Sequence, residues 1–177
     1  MMQSAPIERH CLAVLVTDEP GVLARVVGLF SGRGYNIESL TVARVDEGGT
    51  TGLSRITIVT SGTVAVIEQI CAQLGRLVPV RRVSDLTMGG KHVEREMALI
   101  KVANTGMARI EAMRLAEVFR ARVIDATTDS LTIEITGNAE KLDSFIALMQ
   151  PIGLAEIVRT GVAAISRGSE SFTQKGE

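Results

Sequence analysis

Hydrophobic and polar residues follow an order along this chain that occurs twice. In the first half, the apolar run from Cys11 to Val16 predicts a strand, and turn-forming residues follow it at 17–21. A helical stripe of apolar residues comes next and ends at Gly32 and Gly34. Its members, at spacing i, i+3, i+4 and i+7, are Leu23, Val26, Val27 and Phe30.

Two β-rich runs, Ile37 to Val45 and Leu53 to Thr60, predict a hairpin with its turn at Asp46 to Gly49. A second helical stripe runs up to Gly75, and Leu77 to Val83 predicts a fourth strand. The stripe consists of Ile67, Ile70, Cys71 and Leu74. The first half is therefore predicted to have the order βαββαβ.

After a polar, glycine-containing link at 87–91, the same order begins again. Strands are predicted at 97–102, 122–126, 131–136 and 154–160. Asn138 is a candidate cap for the second of two helices. The helical stripes are Ala112, Leu115, Ala116 and Phe119, and then Leu142, Phe145, Ile146 and Met149.

These elements predict an α+β fold with two ferredoxin-like βαββαβ domains, at 9–86 and 93–166, and a mobile tail at 167–177 rich in Ser, Gly and charge. Each domain places two helices on one face of an antiparallel sheet and leaves the other face open. In the first strand, however, residues on both faces are apolar, so the second face needs a cover. We expect a second copy of the chain to provide it, giving at least a homodimer; the alternative is cover by the second half of the same chain.

The composition excludes several classes of function. Hydrophobic residues make up 46% of the chain and aromatic residues 3%, and the formal net charge is −1. The composition argues against a nucleic-acid partner, because it lacks both an excess of basic residues and stacking aromatics. The segment 52–59 of the predicted third strand has no aromatic residue, whereas an RNA-recognition fold needs aromatics there. No apolar run approaches the length of a membrane span. We expect a cytoplasmic protein without membrane or nucleic-acid partners.

Signatures of catalysis are absent from the sequence. There is no GxGxxG, Walker or GxSxG motif, and His10 and His92 lack metal-ligand spacing to each other or to a cysteine. Cys11 and Cys71 lie in apolar runs, where a small buried hydrophobic residue fits better than a nucleophile. We therefore predict no catalytic residue and no metal site.

The segment Asp18 to Leu23 is a tight turn that leads directly into a helix. Gly21 would let a ligand approach the backbone closely, and the free N–H groups of the first helical turn can bind a carboxylate. Asp18 is the nearest candidate partner for the ammonium group of a free amino acid. An ordinary turn with a favourable acidic first turn explains the same residues.

Asn36 lies where the first helix gives way to the second strand. Its side chain offers two donors and an acceptor, which suits both the amino and the carboxylate group of an amino acid. The alternative is that Asn36 tolerates the left-handed conformation at a helix end.

Three segments of the sequence resemble those of a known family. The first half is similar to an ACT domain, and the run Gly28 to Ala43 resembles a hallmark segment of acetolactate synthase small subunits. So do Val93 to Val102 and, near the end, Arg159 to Val162 with Ser166 to Gly168. The resemblance covers about Arg9 to Gly168, and motifs that recur in order are more specific than any one of them.

The resemblance implies a regulatory subunit without catalytic activity, in branched-chain amino acid biosynthesis. In the family, valine, often with leucine or isoleucine, binds between two ACT domains and gives feedback inhibition. One chain would contribute Asp18, Gly21, Val22 and Leu23, and the opposite chain Asn36 and Ile37, with Ala43 beyond them on the second strand.

The resemblance also implies a large catalytic subunit as the partner. That subunit would carry thiamine diphosphate, FAD and magnesium, and this chain would bind none of them. Asp18 is a departure, because the family often has Asn at this position; the change could alter pairing with the ammonium group without removing the site.

Overall fold

The computed structural model describes residues 6–45, 52–169 and 171–172. Contacts divide the chain into two compact units, one formed by the residues up to Val93 together with the segment from Val162, the other by Glu94–Gly161. Both units follow the βαββαβ order around an antiparallel sheet, so the predicted α+β fold of two ferredoxin-like domains is confirmed. The prediction placed residues 162–166 in the second domain, whereas the contacts place the segment from Val162 in the first unit.

The first unit contains six main elements and a short C-terminal strand. They are β1 (Glu8–Thr17), α1 (Val22–Arg33), β2 (Ser39–Arg44), β3 (Leu53–Gly62), α2 (Val64–Leu74) and β4 (Val80–Asp85), with a later strand at Ala163–Ser166. The sheet order is β2-β3-β1-β4, which makes β1 and β3 the central strands. The predicted hairpin turn at 46–49 lies outside the described residues.

Strand β4 begins three residues later than its apolar pattern predicts. Proline has no N–H to donate to a sheet, and Pro79 directly precedes the strand. The residues before it form turns instead: Leu77 N–H donates to the Leu74 carbonyl at 3.1 Å, and Val80 N–H donates to the Leu77 carbonyl at 2.9 Å. Apolar character alone therefore gave the wrong start for this strand.

The buried face of α1 differs by one position from the predicted stripe. Val22, Val26 and Phe30 are buried against the sheet, whereas Leu23 is 38% exposed. The prediction that Leu23 belongs to the buried stripe is wrong, because the i, i+4, i+8 row starting at Val22 faces the sheet instead. Leu23 therefore remains accessible at the start of the helix.

The second unit repeats the same order with its own core. Its elements are β5 (His92–Ala103), α3 (Gly106–Val118), β6 (Arg122–Ala126), β7 (Ser130–Gly137), α4 (Ala139–Met149) and β8 (Leu154–Arg159). The first two residues of β5 belong to the first unit, and so does the later strand at Ala163–Ser166, which is β9. The strand order is β6-β7-β5-β8. The predicted cap is confirmed, since the Asn138 side chain accepts a hydrogen bond from Lys141 N–H at 3.1 Å.

The second face of the first sheet is covered by the C-terminal segment of the same chain. Three small or apolar residues of β1 on this face pack with Val162, Ala164 and Phe172; they are Cys11, Ala13 and Leu15. The segment is also hydrogen-bonded to the sheet, since Val162 N–H donates to Ser39 Oγ at 2.8 Å. The structure therefore supports the alternative of cover by the same chain, and this face no longer argues for a homodimer.

Phe172 closes this cover from within the predicted tail. Its ring is 8% exposed, and the guanidinium carbons of Arg55 and Arg82 lie 5.1 and 5.0 Å from the ring centroid. Burial lowers the pKa of the Arg55 guanidinium, whose Nη2 donates to the Ala164 carbonyl at 2.7 Å. The tail is therefore packed at Phe172, in contrast to the mobility predicted for it.

In the part of the chain that the structure describes, every helix is too short or too polar to cross a bilayer.

Candidate functional site

The start of α1 is open and uncapped. Gly21 is the N-cap residue with φ of 83°, in the left-handed region that favours glycine. A Cβ atom at Gly21 would meet nothing within 4 Å. Within the described residues no side chain caps this helix, and its first turn holds no acidic residue. Val22 N–H donates to the Glu19 carbonyl at 3.3 Å, so the N–H groups left for an anion are those of Leu23 and Ala24, at the positive end of the helix dipole. The alternative of an acidic first turn is wrong.

Asp18 is paired within the chain, which the sequence did not predict. Its Oδ2 accepts a hydrogen bond from Arg44 Nε at 2.5 Å, and its own N–H donates to the Gly52 carbonyl at 2.6 Å. The Asp18 side chain is 26% exposed and that of Arg44 is 75% exposed. A ligand ammonium group at Asp18 would therefore share this carboxylate with the Arg44 guanidinium.

Val22 and Leu23 differ in what they can offer to a ligand. Val22 is 7% exposed and packs in the core beneath α1, so its side chain is not accessible. The Leu23 side chain is exposed at the first turn. Of the two predicted residues, Leu23 is the one whose side chain could contact an aliphatic ligand.

Asn36 lies just beyond the C-terminal end of α1, in a loop held by backbone contacts. The left-handed position at this helix end is Gly34, with φ of 69°, and Arg120 is the only described residue other than glycine with positive φ. The alternative explanation of Asn36 by left-handed geometry is therefore wrong. Its carbonyl accepts from Thr60 Oγ1 at 2.6 Å, while the residue itself is exposed. Ile37, the next residue, is half-buried against the core.

Ala43 lies on the edge strand β2, on the opposite face from α1. Residues alternate between the two faces of a strand. Leu40 packs into the core beneath the helices, while Thr41 Oγ1 donates to the Val162 carbonyl on the other face at 3.0 Å. Ala43 shares the face of Thr41, so the structure does not bring its side chain together with Gly21.

Within one chain, the two halves of the predicted site lie at opposite ends of α1. The helix has 12 residues, which corresponds to a length of about 18 Å. Gly21 precedes its first residue and Asn36 follows its last. A small amino acid cannot contact both residues of the same chain, so a site that uses both must take them from two chains.

The described residues form no metal site, and the Cys71 thiol is weakly reactive. No group of three or more His, Cys, Asp and Glu side chains within the described ranges is placed to hold a metal ion. Burial, and after it the negative charges of Asp85 and Glu68, raises the pKa of the Cys71 thiol to about 11. At neutral pH this thiol is protonated and therefore a poor nucleophile.

Comparison with known proteins identifies the family. A family model described as the small subunit of acetolactate synthase matches residues 95–168, and a model of the ACT domain of such small subunits matches residues 12–82. The small subunit of acetolactate synthase isozyme 3 from Salmonella typhimurium is 47% identical over 163 residues, covering 92% of this chain and 98% of that protein. The chain belongs to the acetolactate synthase small-subunit family.

Other relatives agree with this membership. The acetolactate synthase small subunit of Aquifex aeolicus is 44% identical over 94% of this chain and 85% of its own length. The crystal structure of the acetolactate synthase small subunit from Thermotoga maritima matches with a TM-score of 0.81 and 39% identity, covering 92% of this chain and 99% of that one. The ACT-type fold of the first unit is thus shared with this small-subunit family.

The structure also explains why two of the motifs that resemble the small-subunit family occur together. Arg159, from the last motif, donates through Nε and Nη2 to the two carboxylate oxygens of Glu96, from the second motif, at 2.9 and 2.6 Å. Glu96 is only 6% exposed. Hydrogen bonding to Glu96 raises the pKa of Arg159, and Asp143 accepts a further bond at 2.6 Å. The motifs are linked by a structural ion pair within the second unit.

Proposed function

We propose that this chain is the regulatory subunit of acetolactate synthase, and that it binds valine, or leucine or isoleucine, between the ACT domains of two copies. Its large catalytic partner would carry out the chemistry with thiamine diphosphate, FAD and magnesium. The observation that carries this proposal is the uncapped start of α1 at Gly21, in a chain that belongs to the small-subunit family. Such a helix start offers N–H donors and a positive dipole to a carboxylate.

Each part of the amino acid has a matching group in the proposed site. The carboxylate lies at the first turn of α1, where Gly21 leaves room for it. The ammonium group lies between Asp18 of one chain and the amide oxygen of Asn36 of the other. The aliphatic side chain contacts Leu23 and Ile37. The Val22 side chain is buried and its N–H donates to the Glu19 carbonyl, so Val22 shapes the turn at the start of α1. The Ala43 side chain lies on the face of β2 away from α1.

The proposed site requires a homodimer, because α1 is long. Because Gly21 and Asn36 of one chain are separated by the whole helix, the proposed site is complete only when a second chain places its Asn36 loop at the first chain's Gly21. A two-fold axis would form two such sites at once.

Regulation would then depend on the difference in valine affinity between two arrangements of the dimer. Valine can shift the holoenzyme only by as much as it prefers one arrangement over the other. We propose that bound valine favours an arrangement in which the surfaces of the ACT domains and of the second unit hold the catalytic subunit in a less active state. Without valine, the same contacts stimulate the catalytic subunit.

The test is reconstitution with a purified acetolactate synthase catalytic subunit. We expect added chain to raise acetolactate formation and valine to reverse the increase. Calorimetric titration of the chain with valine should give saturable binding, with alanine as a smaller control ligand. If the chain stimulates the catalytic subunit but valine has no effect, the effector site is contradicted and the regulatory role is not. Absence of both stimulation and co-purification would contradict the regulatory role.

A further inference from the structure

A cavity lies in the first unit, outside the proposed effector site. It has a volume of about 230 Å³ and lies among β1, α2, β4 and the turn after β4. Its apolar lining includes Val64, Ile67 and Met88. Its polar lining consists of His10, Glu68, Cys71 and Asp85. None of these residues belongs to the effector site, so what the cavity binds can be argued independently.

His10 is a fully buried member of this lining. Its Nδ1 lies 2.7 Å from Asp85 Oδ2. The other oxygen of Asp85 accepts from the backbone N–H groups of Thr87 and Met88, at 2.9 and 3.3 Å. A carboxylate with only donors around it acts as an acceptor, so the proton of the His10–Asp85 contact lies on Nδ1.

The second ring nitrogen of His10 has no hydrogen-bond partner among the described residues. With the proton on Nδ1, the neutral imidazole presents Nε2 as a hydrogen-bond acceptor. This atom is buried and makes no hydrogen bond to any part of the chain that the structure describes. Buried polar atoms are nearly always paired, so an orphan acceptor beside a cavity indicates that a donor from outside the chain completes it.

The charges of the cavity restrict what that donor can be. Glu68 and Asp85 are its acidic residues, and no lysine or arginine is among the residues described as lining it. An anionic ligand would be repelled by both carboxylates, whereas a cation would be attracted. Cys71 is protonated at neutral pH and forms a neutral part of the wall.

We propose that this cavity binds a small aliphatic primary ammonium ion. Its N–H donates to His10 Nε2, and Glu68 at the exposed side balances its charge. Its alkyl chain lies against Val64, Ile67 and Met88. A carboxylate in the cavity would be repelled by Glu68 and Asp85, so an amine without a carboxylate should bind better than an amino acid. The ligand class therefore differs from that of the effector site, which needs a carboxylate.

The test uses three probes with the same carbon skeleton and different head groups: 3-methylbutylamine, 3-methylbutan-1-ol and 3-methylbutanoate. The full ¹⁵N-labelled chain is titrated while the ring nitrogens of its histidines are followed by long-range ¹H–¹⁵N spectra. The sequence has two histidines, so His92 is an internal control. We expect the amine to shift His10 Nε2 and not His92, with a dissociation constant on the order of 1 mM for so small a ligand.

A charge variant separates the ammonium ion from other donors. Glu68→Gln should weaken amine binding roughly three- to fivefold, as expected for one partly solvated charge pair, and leave the alcohol unchanged. Glu140→Gln, at an exposed glutamate in the first turn of α4, should change neither. The proposal is overturned if the amine does not shift His10, if the acid binds as well as the amine, or if Glu68→Gln has no effect.

Discussion

At the scale of single residues, Gly21 has two properties that bear on effector binding. Its positive φ disfavours most side chains, and the space beyond its missing Cβ is open. A substitution there therefore introduces both backbone strain and a group in the proposed carboxylate position. Asparagine and aspartate tolerate the left-handed region better than other side chains, so a pair of variants can separate strain from charge.

We predict that Gly21→Asp reduces valine affinity at least tenfold, while Gly21→Asn, nearly identical in shape, reduces it much less. The aspartate places a negative charge where the ligand's carboxylate should lie, and repulsion at close range easily exceeds the 1.4 kcal/mol that corresponds to tenfold. Calorimetric titration with valine measures the affinity of each variant, and circular dichroism checks that each variant is folded. Equal valine affinities for the two variants would show that the ligand's carboxylate does not lie at Gly21.

The ion pair of Arg159 with Glu96 supports a second residue-scale prediction. Arg159→Ala would leave Glu96 buried without its partner. We expect a loss of about 2 kcal/mol in the free energy of unfolding, below the value for a fully buried pair because Arg159 is 34% exposed. Urea denaturation measures this loss in the free energy of unfolding. Lys101→Ala is the control: it removes the exposed Lys101–Glu156 pair and should leave the midpoint of urea denaturation almost unchanged.

Local residue roles were predictable where they depend on neighbours in sequence. Asn138 was recognised as a cap because its partner, Lys141 N–H, is three residues away. The pairing of Asp18 with Arg44 was not predicted, because it depends on where β2 lies relative to the turn before α1. No pattern in the sequence gives that distance.

At the scale of elements, β1 explains why the first unit needs cover on both sides. Leu12, Val14 and Val16 pack beneath the helices, and the alternate residues of β1 pack on the other face. The sequence predicted correctly that both faces are apolar. It did not predict which segment provides the second cover, because the apolar residues of the C-terminal segment are few and widely spaced.

We predict that Phe172→Ala destabilises the first unit by about 2 to 3 kcal/mol, since it removes a buried ring from between two guanidinium groups. Ile165→Ala is the matched control, because Ile165 is 60% exposed in the same segment and should cost little. Thermal unfolding of both variants measures the difference. Equal midpoints would mean that the segment does not contribute to the stability of the sheet.

The order of the elements followed from the pattern, but several bounds did not: β1 begins three residues and β5 five residues before its predicted start. Strand β6 has its predicted bounds, Arg122–Ala126. Strand β4 starts later because of Pro79, and the buried row of α1 is set by contact with the sheet rather than by the stripe alone. The error at α1 matters most for the site, because it changes the assignment of Leu23 from core to accessible surface.

At the scale of the whole molecule, the proposed regulation depends on two chains sharing each effector site. Family membership is established by similarity, and the fold by its two βαββαβ units. The two-chain site is an inference from the length of α1, which separates Gly21 from Asn36 in any one chain. Complementation between two inactive variants tests that inference directly.

In a mixed dimer of Gly21→Asp and Asn36→Ala chains, one shared site carries both substitutions and the other carries neither. The account predicts that each variant alone binds almost no valine, and that dimers containing one chain of each, isolated with two different affinity tags, bind one valine per dimer with wild-type affinity by calorimetry. If Gly21 and Asn36 served the same site within one chain, every site in the mixed dimer would be damaged. Absence of restored binding would then contradict the two-chain site.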